Sequence, residues 1–166
     1  MAEPTQATPP RTLTERIALG AATLGGIGYL PVASGTWGSL ATLPFCWLAY
    51  RSGPLWVHLG ITLALTAIAF PAATVAERLL GKKDASPVVV DEAAGQFVAL
   101  LGIPIAIGPW AVGFFLFRFF DVVKLFPANR VERLRGGAGI VGDDLVAGVY
   151  ANLTLQLGLR LWASLP

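Results

Sequence analysis

The sequence predicts an all-α, polytopic membrane protein with about four to five short membrane-embedded helices and an N-terminal amphipathic or re-entrant helix. The chain of 166 residues is 55% apolar and 13% charged, whereas soluble domains average about 25% charged residues. The stretch from Leu55 to Ala76 contains no Asp, Glu, Lys or Arg and is long enough to cross a bilayer as a helix. The Lys and Arg residues are concentrated in alternate loops, which is typical of membrane proteins.

The N-terminal region divides into a tail and a first helix. Residues 1–12 are rich in Pro and Thr and are predicted to be disordered. Residues 13–166 are predicted to form a single membrane-embedded domain. The first helix should cover residues 13–30, with Thr12 or Thr14 as its cap. Its glycines favour close packing against other helices, and its apolar part is short for a full span.

The rest of the chain predicts five further helices separated by turns. Ser86 and Pro87 indicate a helix start, with Ser as the cap and Pro at the first helical position. Pro127 should end the helix before it, and the glycines that follow it should form a loop. The predicted membrane segments are residues 37–50, 55–76, 88–103, 109–126 and 144–163.

The distribution of cations predicts how the chain is oriented. If the N-terminus is cytoplasmic, loops 77–87 and 127–143 are cytoplasmic as well, and the turns at 51–54 and 104–109 face outward. Ten Lys and Arg residues then lie inside and two lie outside, as the positive-inside rule requires. The formal net charge of +2 is too small to indicate a nucleic-acid partner.

Five carboxylates lie beside apolar segments, where an unpaired charge is costly. The predicted topology brings all five to the cytoplasmic face, although they come from three separate segments. Ordinary pairing with nearby cations is the alternative explanation, but pairing alone is expensive beside apolar helices. We therefore expect one metal-binding and catalytic unit made of Asp91, Glu92, Asp121, Asp143 and Asp144.

A glycine-rich segment and three basic residues are candidates for holding a phosphate on the same face. Backbone N–H groups at a helix start carry partial positive charge and suit an anion. Taken alone, the segment is explained more simply as an ordinary helix entry. The candidate phosphate-binding residues are Gly35, Thr36, Gly38, Ser39, Arg118, Lys124 and Arg130.

The residue types limit the chemistry of such a site. All-oxygen ligands favour Mg²⁺, or alternatively Mn²⁺ or Ca²⁺, over zinc. The one cysteine, Cys46, lies within an apolar run, and the one histidine, His58, is expected far from the acids. The sequence contains no P-loop motif. The chemistry that remains open to these residues is metal-assisted hydrolysis of a phosphate ester, in which carboxylates orient or deprotonate a water molecule.

The chain resembles the phosphatidylglycerophosphatase A family of bacterial membrane phosphatases. The resemblance covers about residues 20–155 and rests on four segments in order: GTWGSL, VVDE, FRFFDVVK and GGAGIVGDDLVAGV. It implies Mg²⁺-dependent removal of the terminal phosphate of phosphatidylglycerophosphate, giving phosphatidylglycerol. It also implies a multi-pass protein of the bacterial inner membrane, with a phospholipid substrate and its active site at the cytoplasmic face. The family's acidic residues match the five carboxylates named above.

Three other functions remain possible from the residues. One is a phosphatase for another lipid phosphate. The second is a CDP-alcohol phosphotransferase, although the long acidic-glycine motif of that class is missing. The third is a small ion-coupled transporter, which would favour ionisable groups near mid-membrane, whereas these acids cluster at one end. Nothing in the sequence indicates an oligomeric state.

Overall fold

The described residues of the computed structural model, 12–51 and 53–164, form helices joined by turns and contain no strand. The all-α prediction is therefore confirmed. Residues 1–11, and with them most of the predicted tail, lie outside the described residues. The helices are α1 (Leu13–Ala22), a 3₁₀ segment (Leu24–Tyr29), α2 (Ser34–Tyr50), α3 (Leu55–Leu80), α4 (Val90–Leu100), α5 (Ile107–Val123), α6 (Ala128–Val131) and α7 (Gly137–Ala163).

Among these helices, α3 alone combines the length and the apolar composition needed to cross a membrane. Its 26 residues correspond to about 39 Å at 1.5 Å per residue. Helices α2 and α5 have 17 residues each, which is just under the ~20 residues that span about 30 Å of hydrocarbon. The structure thus agrees with the prediction of short apolar helices, and the number that are embedded in a membrane stays a prediction.

The N-terminal helix is shorter than predicted. Thr12 caps α1 through a reciprocal capping box with Glu15, which satisfies two of the free N–H groups at the helix start. The helix ends at Ala22 rather than continuing to residue 30. Gly25 and Gly26 have φ values of 67° and 105°, and these left-handed conformations break the α-helix.

Two predicted helix starts are wrong. Ser86 and Pro87 form a turn, and α4 begins at Val90 with Val89 as its N-cap and no side-chain cap. The last helix begins at Gly137 rather than at residue 144. Gly137 donates its N–H to Thr74 Oγ1 at 2.8 Å, and a side chain at this position would collide with the carbonyl of Phe70. These glycines therefore permit close helix packing instead of forming a loop.

The helix before Pro127 also ends earlier than predicted. Helix α5 stops at Val123, and Lys124 takes a left-handed conformation with φ 47° as its C-cap. The chain then turns into the short helix α6 before it reaches α7. This early end directs the Lys124 side chain towards α7, where it contacts Asp143.

Helix α4 lies at the centre of the fold and packs against α2, α3, α5 and α7. Nine of its eleven residues are buried. Its C-terminal carbonyl groups, which have no partner within the helix, are satisfied by side chains of other helices. Tyr50 donates to the carbonyl of Phe97 at 2.9 Å. Asn152 donates to the carbonyls of Ala99 and Leu101 at 3.0 and 2.8 Å.

Two of the buried clusters among the described residues lie towards opposite ends of α4. One contains mainly small residues of α3, α4 and α7, including Ala69, Ala73 and Ala94. The other contains larger side chains, including Phe97, Leu100 and Trp110. Small residues allow the backbones of α3, α4 and α7 to approach closely, whereas the larger residues fill the space at the opposite end of α4.

The crossing of α4 and α7 generates the first testable prediction. A Cβ atom at Gly95 would collide with the Phe117 ring and lie 2.7 Å from the carbonyl oxygen of Asp144. We expect Gly95→Ala to lower the free energy of unfolding by about 1–3 kcal/mol, because overpacking forces backbone shifts. Gly158→Ala is the matched control, since Gly158 lies in α7 with nothing within 4 Å of its added Cβ.

Thermal unfolding in detergent, followed by the reaction of a thiol dye with the buried Cys46, measures both variants. A Gly95→Ala protein that is as stable as Gly158→Ala would contradict this account of the crossing.

Candidate functional site

Three carboxylates meet where α4 crosses α7. Asp91 and Glu92 lie in the first turn of α4, and Asp144 lies near the start of α7. One oxygen atom from each lies within 4.8 Å of the other two. Asp91 and Asp144 are buried, with 5% and 4% of their surfaces exposed, and Glu92 is half-buried. The close approach of Gly95 to the backbone of Asp144 sets this distance between the helices.

These three residues fit a metal ion. Among the described residues, one buried oxygen of each carboxylate has no hydrogen-bond partner: Asp91 Oδ1, Glu92 Oε2 and Asp144 Oδ2. Buried acceptors without partners cost free energy, and three carboxylates at this separation repel one another. A hard divalent cation would satisfy the oxygens and offset the negative charge. The cluster could therefore bind a metal ion.

Arg118 joins Asp121 to this cluster. Its Nη1 atom lies 2.9 Å from Asp121 Oδ2 and 3.8 Å from Glu92 Oε1. The same atom donates a weak hydrogen bond of 3.4 Å to Ser39 Oγ. Arg118 thus connects α5 with α4 and α2 at the carboxylates, and it partly offsets their charge.

Asp143 faces a different partner from its neighbour Asp144. Its Oδ2 atom accepts a hydrogen bond of 2.6 Å from Lys124 Nζ, which also lies 3.0 Å from Glu132 Oε1. Burial raises the pKa of the Asp143 carboxyl, and Lys124 counters part of that increase. Lys83 donates to the backbone carbonyl of Glu132 at 2.6 Å. The sequence analysis did not single out Glu132, which no motif marks.

The glycine-rich segment lies against the carboxylates, in the first turns of α2 rather than before the helix. A Cβ atom at Gly35 would collide with the Glu92 carboxylate, and one at Gly38 would lie 2.8 Å from Val89 Cβ. Ser39 is buried and donates to the carbonyl of Gly35 at 2.9 Å, and Thr36 is half-buried. The helix begins without a side-chain cap, and the contact of Gly35 with Glu92 places the positive end of α2 near that carboxylate.

Arg130 is placed differently from the other candidate phosphate ligands. Its guanidinium carbon lies 4.9 Å from the centroid of the Phe126 ring, and the residue is exposed.

A cavity of about 310 Å³ lies beside Asp143. Its lining is strongly charged and comprises Lys83, Asp84, Glu132, Arg133, Gly139, Ile140 and Asp143.

The fold and the site define a helical, membrane-associated protein with a buried carboxylate cluster suited to a divalent cation. The chain belongs to the phosphatidylglycerophosphatase A family, whose family model matches residues 20–159. The resemblance seen in the sequence is thereby confirmed. No solved structure matches the chain.

Three curated relatives resemble most of the chain. The phosphatidylglycerophosphatase A of Escherichia coli strain K12 is 35% identical over 132 residues, which cover 76% of this chain and 74% of the relative. That of Haemophilus influenzae is 36% identical over 146 residues, covering 82% and 85%. A Bacteroides thetaiotaomicron protein named provisionally as a phosphatidylinositol-3-phosphatase is 36% identical over 141 residues, covering 80% and 87%.

The contact between Gly35 and Glu92 generates the second prediction. We expect Gly35→Ala to push the flexible Glu92 side chain away from Asp91 and Asp144 while the fold is retained. Changes to groups that support a metal site typically alter its affinity by about 10–100-fold. We therefore expect the affinity of Gly35→Ala for a divalent cation to fall by about this factor. The unfolding temperature measured with and without Mg²⁺, Mn²⁺ or Ca²⁺ reports this affinity, because a cation that binds only the folded state stabilises it.

Gly20→Ala is the matched control, since nothing lies within 4 Å of a Cβ atom at that position. A Gly35→Ala protein with the same cation-induced shift as Gly20→Ala would show that this contact does not shape the site.

Proposed function

We propose that this protein hydrolyses the terminal phosphate monoester of phosphatidylglycerophosphate, giving phosphatidylglycerol and inorganic phosphate in glycerophospholipid synthesis. The observation that carries the proposal is the group of three carboxylates, two of them buried and one half-buried, beside Arg118 and the first turn of α2. The family and the names of the Escherichia coli and Haemophilus influenzae relatives support the same substrate.

The metal in this proposal is Mg²⁺. Asp91, Glu92 and Asp144 would hold it, and their all-oxygen donor set suits a hard cation. Mg²⁺ bound there would offset the charge on the phosphate and make water a better nucleophile. Asp121 and Asp143 complete the proposed catalytic set, Asp121 beside Arg118 and Asp143 beside Lys124.

Basic side chains and the first turn of α2 would hold the phosphate. Arg118 already contacts Ser39, so its guanidinium and the N–H groups near Gly35, Thr36, Gly38 and Ser39 could share one anion. Lys124 would offset further charge from the side of Asp143. Arg130 would have to turn away from the Phe126 ring to reach the same phosphate.

The reaction itself requires a water molecule and proton transfers. The water oxygen forms a bond to phosphorus while the bond from phosphorus to the glycerol oxygen breaks. A carboxylate of the cluster takes the proton that the water loses and then returns a proton to the glycerol oxygen, which becomes a hydroxyl group. Arg118 and Lys124 stabilise the charge that spreads over the phosphate oxygens during this exchange.

The third prediction tests the carboxylates. We expect Asp91→Asn and Asp144→Asn to reduce turnover by about 100-fold or more, because Asn keeps the shape but loses the charge that holds the cation. Phosphate release from phosphatidylglycerophosphate by the detergent-solubilised protein, with and without EDTA, is the measurement. Losses in the double variant should be less than additive, since residues acting as one unit lose the same step once.

Glu77→Gln is the control for this prediction. Glu77 lies near the end of α3 beside Arg78 and Lys82, so the change should leave turnover close to that of the unmodified protein. Near-normal Mg²⁺-dependent release by both Asn variants would overturn the proposed metal site.

A related lipid phosphate is the second candidate substrate. The observation in its favour is the Bacteroides thetaiotaomicron relative, whose name points to phosphatidylinositol-3-phosphate. Both lipids carry a phosphate monoester on a phosphodiester-linked headgroup. Comparing the two in one assay, as kcat/KM at equal surface concentration in mixed micelles, decides between them.

The proposed setting is the bacterial inner membrane. Residues 13–166 would form one multi-pass domain, with the active site at the cytoplasmic face and a phospholipid as the binding partner. The support is the excess of Lys and Arg in the loops that would face the cytoplasm and the apolar helix α3. Asp84 and Glu132 line one charged cavity, which suits exposure of both loops to the same aqueous side.

The fourth prediction tests this orientation. Reporter proteins fused at Ser52 and Asp84, on either side of α3, should report opposite sides of the membrane, with Asp84 in the cytoplasm. The expectation follows from the ten-to-two distribution of cations in the sequence. Fusions that report the same side would rule out the proposed passage of α3 through the membrane.

A further inference from the structure

Gln96 is an unusual residue in the interior of this fold. It is completely buried, and neither its amide nitrogen nor its amide oxygen has a hydrogen-bond partner among the described residues. Burying an amide in this state costs about 1–3 kcal/mol per unsatisfied group in proteins. Such a residue is expensive for stability alone, so the position calls for another explanation.

Gln96 lies on the same face of α4 as one member of the carboxylate cluster. Gln96 lies one helical turn after Glu92, so the two side chains share one face of the helix. Side chains on a helix lean towards its N-terminus and cover the preceding turn. This spacing puts Gln96 on the same side of α4 as Glu92, whose Oε2 atom is also buried without a partner among the described residues.

The chemistry of an amide differs from that of the surrounding acids. At neutral pH a carboxylate only accepts hydrogen bonds, whereas Gln offers one acceptor and two donors without a charge. Gln96 can thus accept a hydrogen bond from a water molecule while it donates to a neighbouring oxygen. This combination orients a water without adding a fourth negative charge to Asp91, Glu92 and Asp144.

We propose that Gln96 is a further catalytic residue, whose buried amide binds and orients the attacking water beside Glu92. This inference rests on the proposed function, because it assigns a role within that hydrolysis. The amide oxygen accepts one O–H of the water, which leaves the second O–H for a carboxylate and turns a lone pair of the water oxygen towards phosphorus. The amide itself neither gains nor loses a proton.

The fifth prediction compares the change from Gln to Met at two positions, Gln96 and Gln156. Gln96→Met keeps the length of the side chain and removes the amide. We expect its kcat to fall by about 100-fold, the scale seen when one preorganised hydrogen-bonding group is lost, with KM changed less than about 3-fold. The unfolding temperature without substrate or added cation should equal or exceed that of the unmodified protein, because two unsatisfied polar atoms are removed.

Gln156→Met is the matched control. Gln156 is a half-buried residue of α7 whose amide donates to Asn152 Oδ1 at 2.8 Å. Its loss should leave kcat unchanged and lower the unfolding temperature, since a satisfied hydrogen bond disappears. An unfolding temperature that is unchanged or higher in Gln96→Met and lower in Gln156→Met would distinguish a residue that serves catalysis from one that stabilises the fold.

Two results would overturn the role of Gln96. The first is a Gln96→Met protein whose kcat is unchanged. The second is a Gln96→Met protein with a lower unfolding temperature, in which kcat falls only as far as the fraction of unfolded protein explains. The shift of the unfolding temperature by Mg²⁺ should be retained in Gln96→Met, and its loss would assign the amide to the cation instead of the water.

The same experiment separates this inference from the proposed function. If the unmodified protein releases phosphate from phosphatidylinositol-3-phosphate but not from phosphatidylglycerophosphate, the proposed substrate is wrong and Gln96 is judged on the active lipid. If the unmodified protein releases phosphate from neither lipid, the role of Gln96 is overturned together with the proposed function.

Discussion

The structure depends on holding like charges together where the first turn of α4 crosses α7. Asp91, Glu92 and Asp144 bring oxygens within 4.8 Å of one another, yet the nearby Arg118 lies 3.8 Å from Glu92 and closer to Asp121. Arg118 offsets only part of this charge, so the arrangement is costly in an apolar helix bundle unless a cation completes it. The surrounding helices must therefore be rigid enough to hold the carboxylates together against their repulsion. The capping of α4 by Tyr50 and Asn152 at its other end supplies part of that rigidity.

Glycines allow the backbone approaches on which the site depends. Gly35 leaves room for the Glu92 carboxylate, Gly95 and Gly148 allow α4 to cross α7, and Gly137 seats the start of α7 on α3. Each of these positions would collide with a neighbour if it carried a Cβ atom. Helix α4 has only 11 residues over which to contact its neighbours, so close approach at a few points decides the geometry around it.

The sequence predicted which carboxylates lie close together better than it predicted the local structure around them. Charges persist beside apolar segments only for a reason, and this rule identified Asp91, Glu92 and Asp144. It did not reveal that α7 begins at Gly137. A glycine-rich sequence is typical of a loop, and the same sequence also permits close helix packing. Ser86 and Pro87 have the pattern of a helix start, but α4 begins three residues after Pro87. Gln96 lies four residues after Glu92 in the sequence, but its complete burial is set by tertiary contacts that a single sequence does not contain.

The adjacent residues Asp143 and Asp144 show how one helix serves two parts of the site. Consecutive residues of an α-helix point about 100° apart, so their side chains cannot face the same neighbour. Asp144 turns towards α4 and joins Asp91 and Glu92, whereas Asp143 turns towards the end of α5 and binds Lys124. Because Glu132 lies on the other side of the same ammonium group, Lys124 is fixed between two acids at the edge of the charged cavity. The Asp-Asp pair thus separates its charges, one carboxylate towards the candidate cation site and the other towards the cation that the chain itself provides.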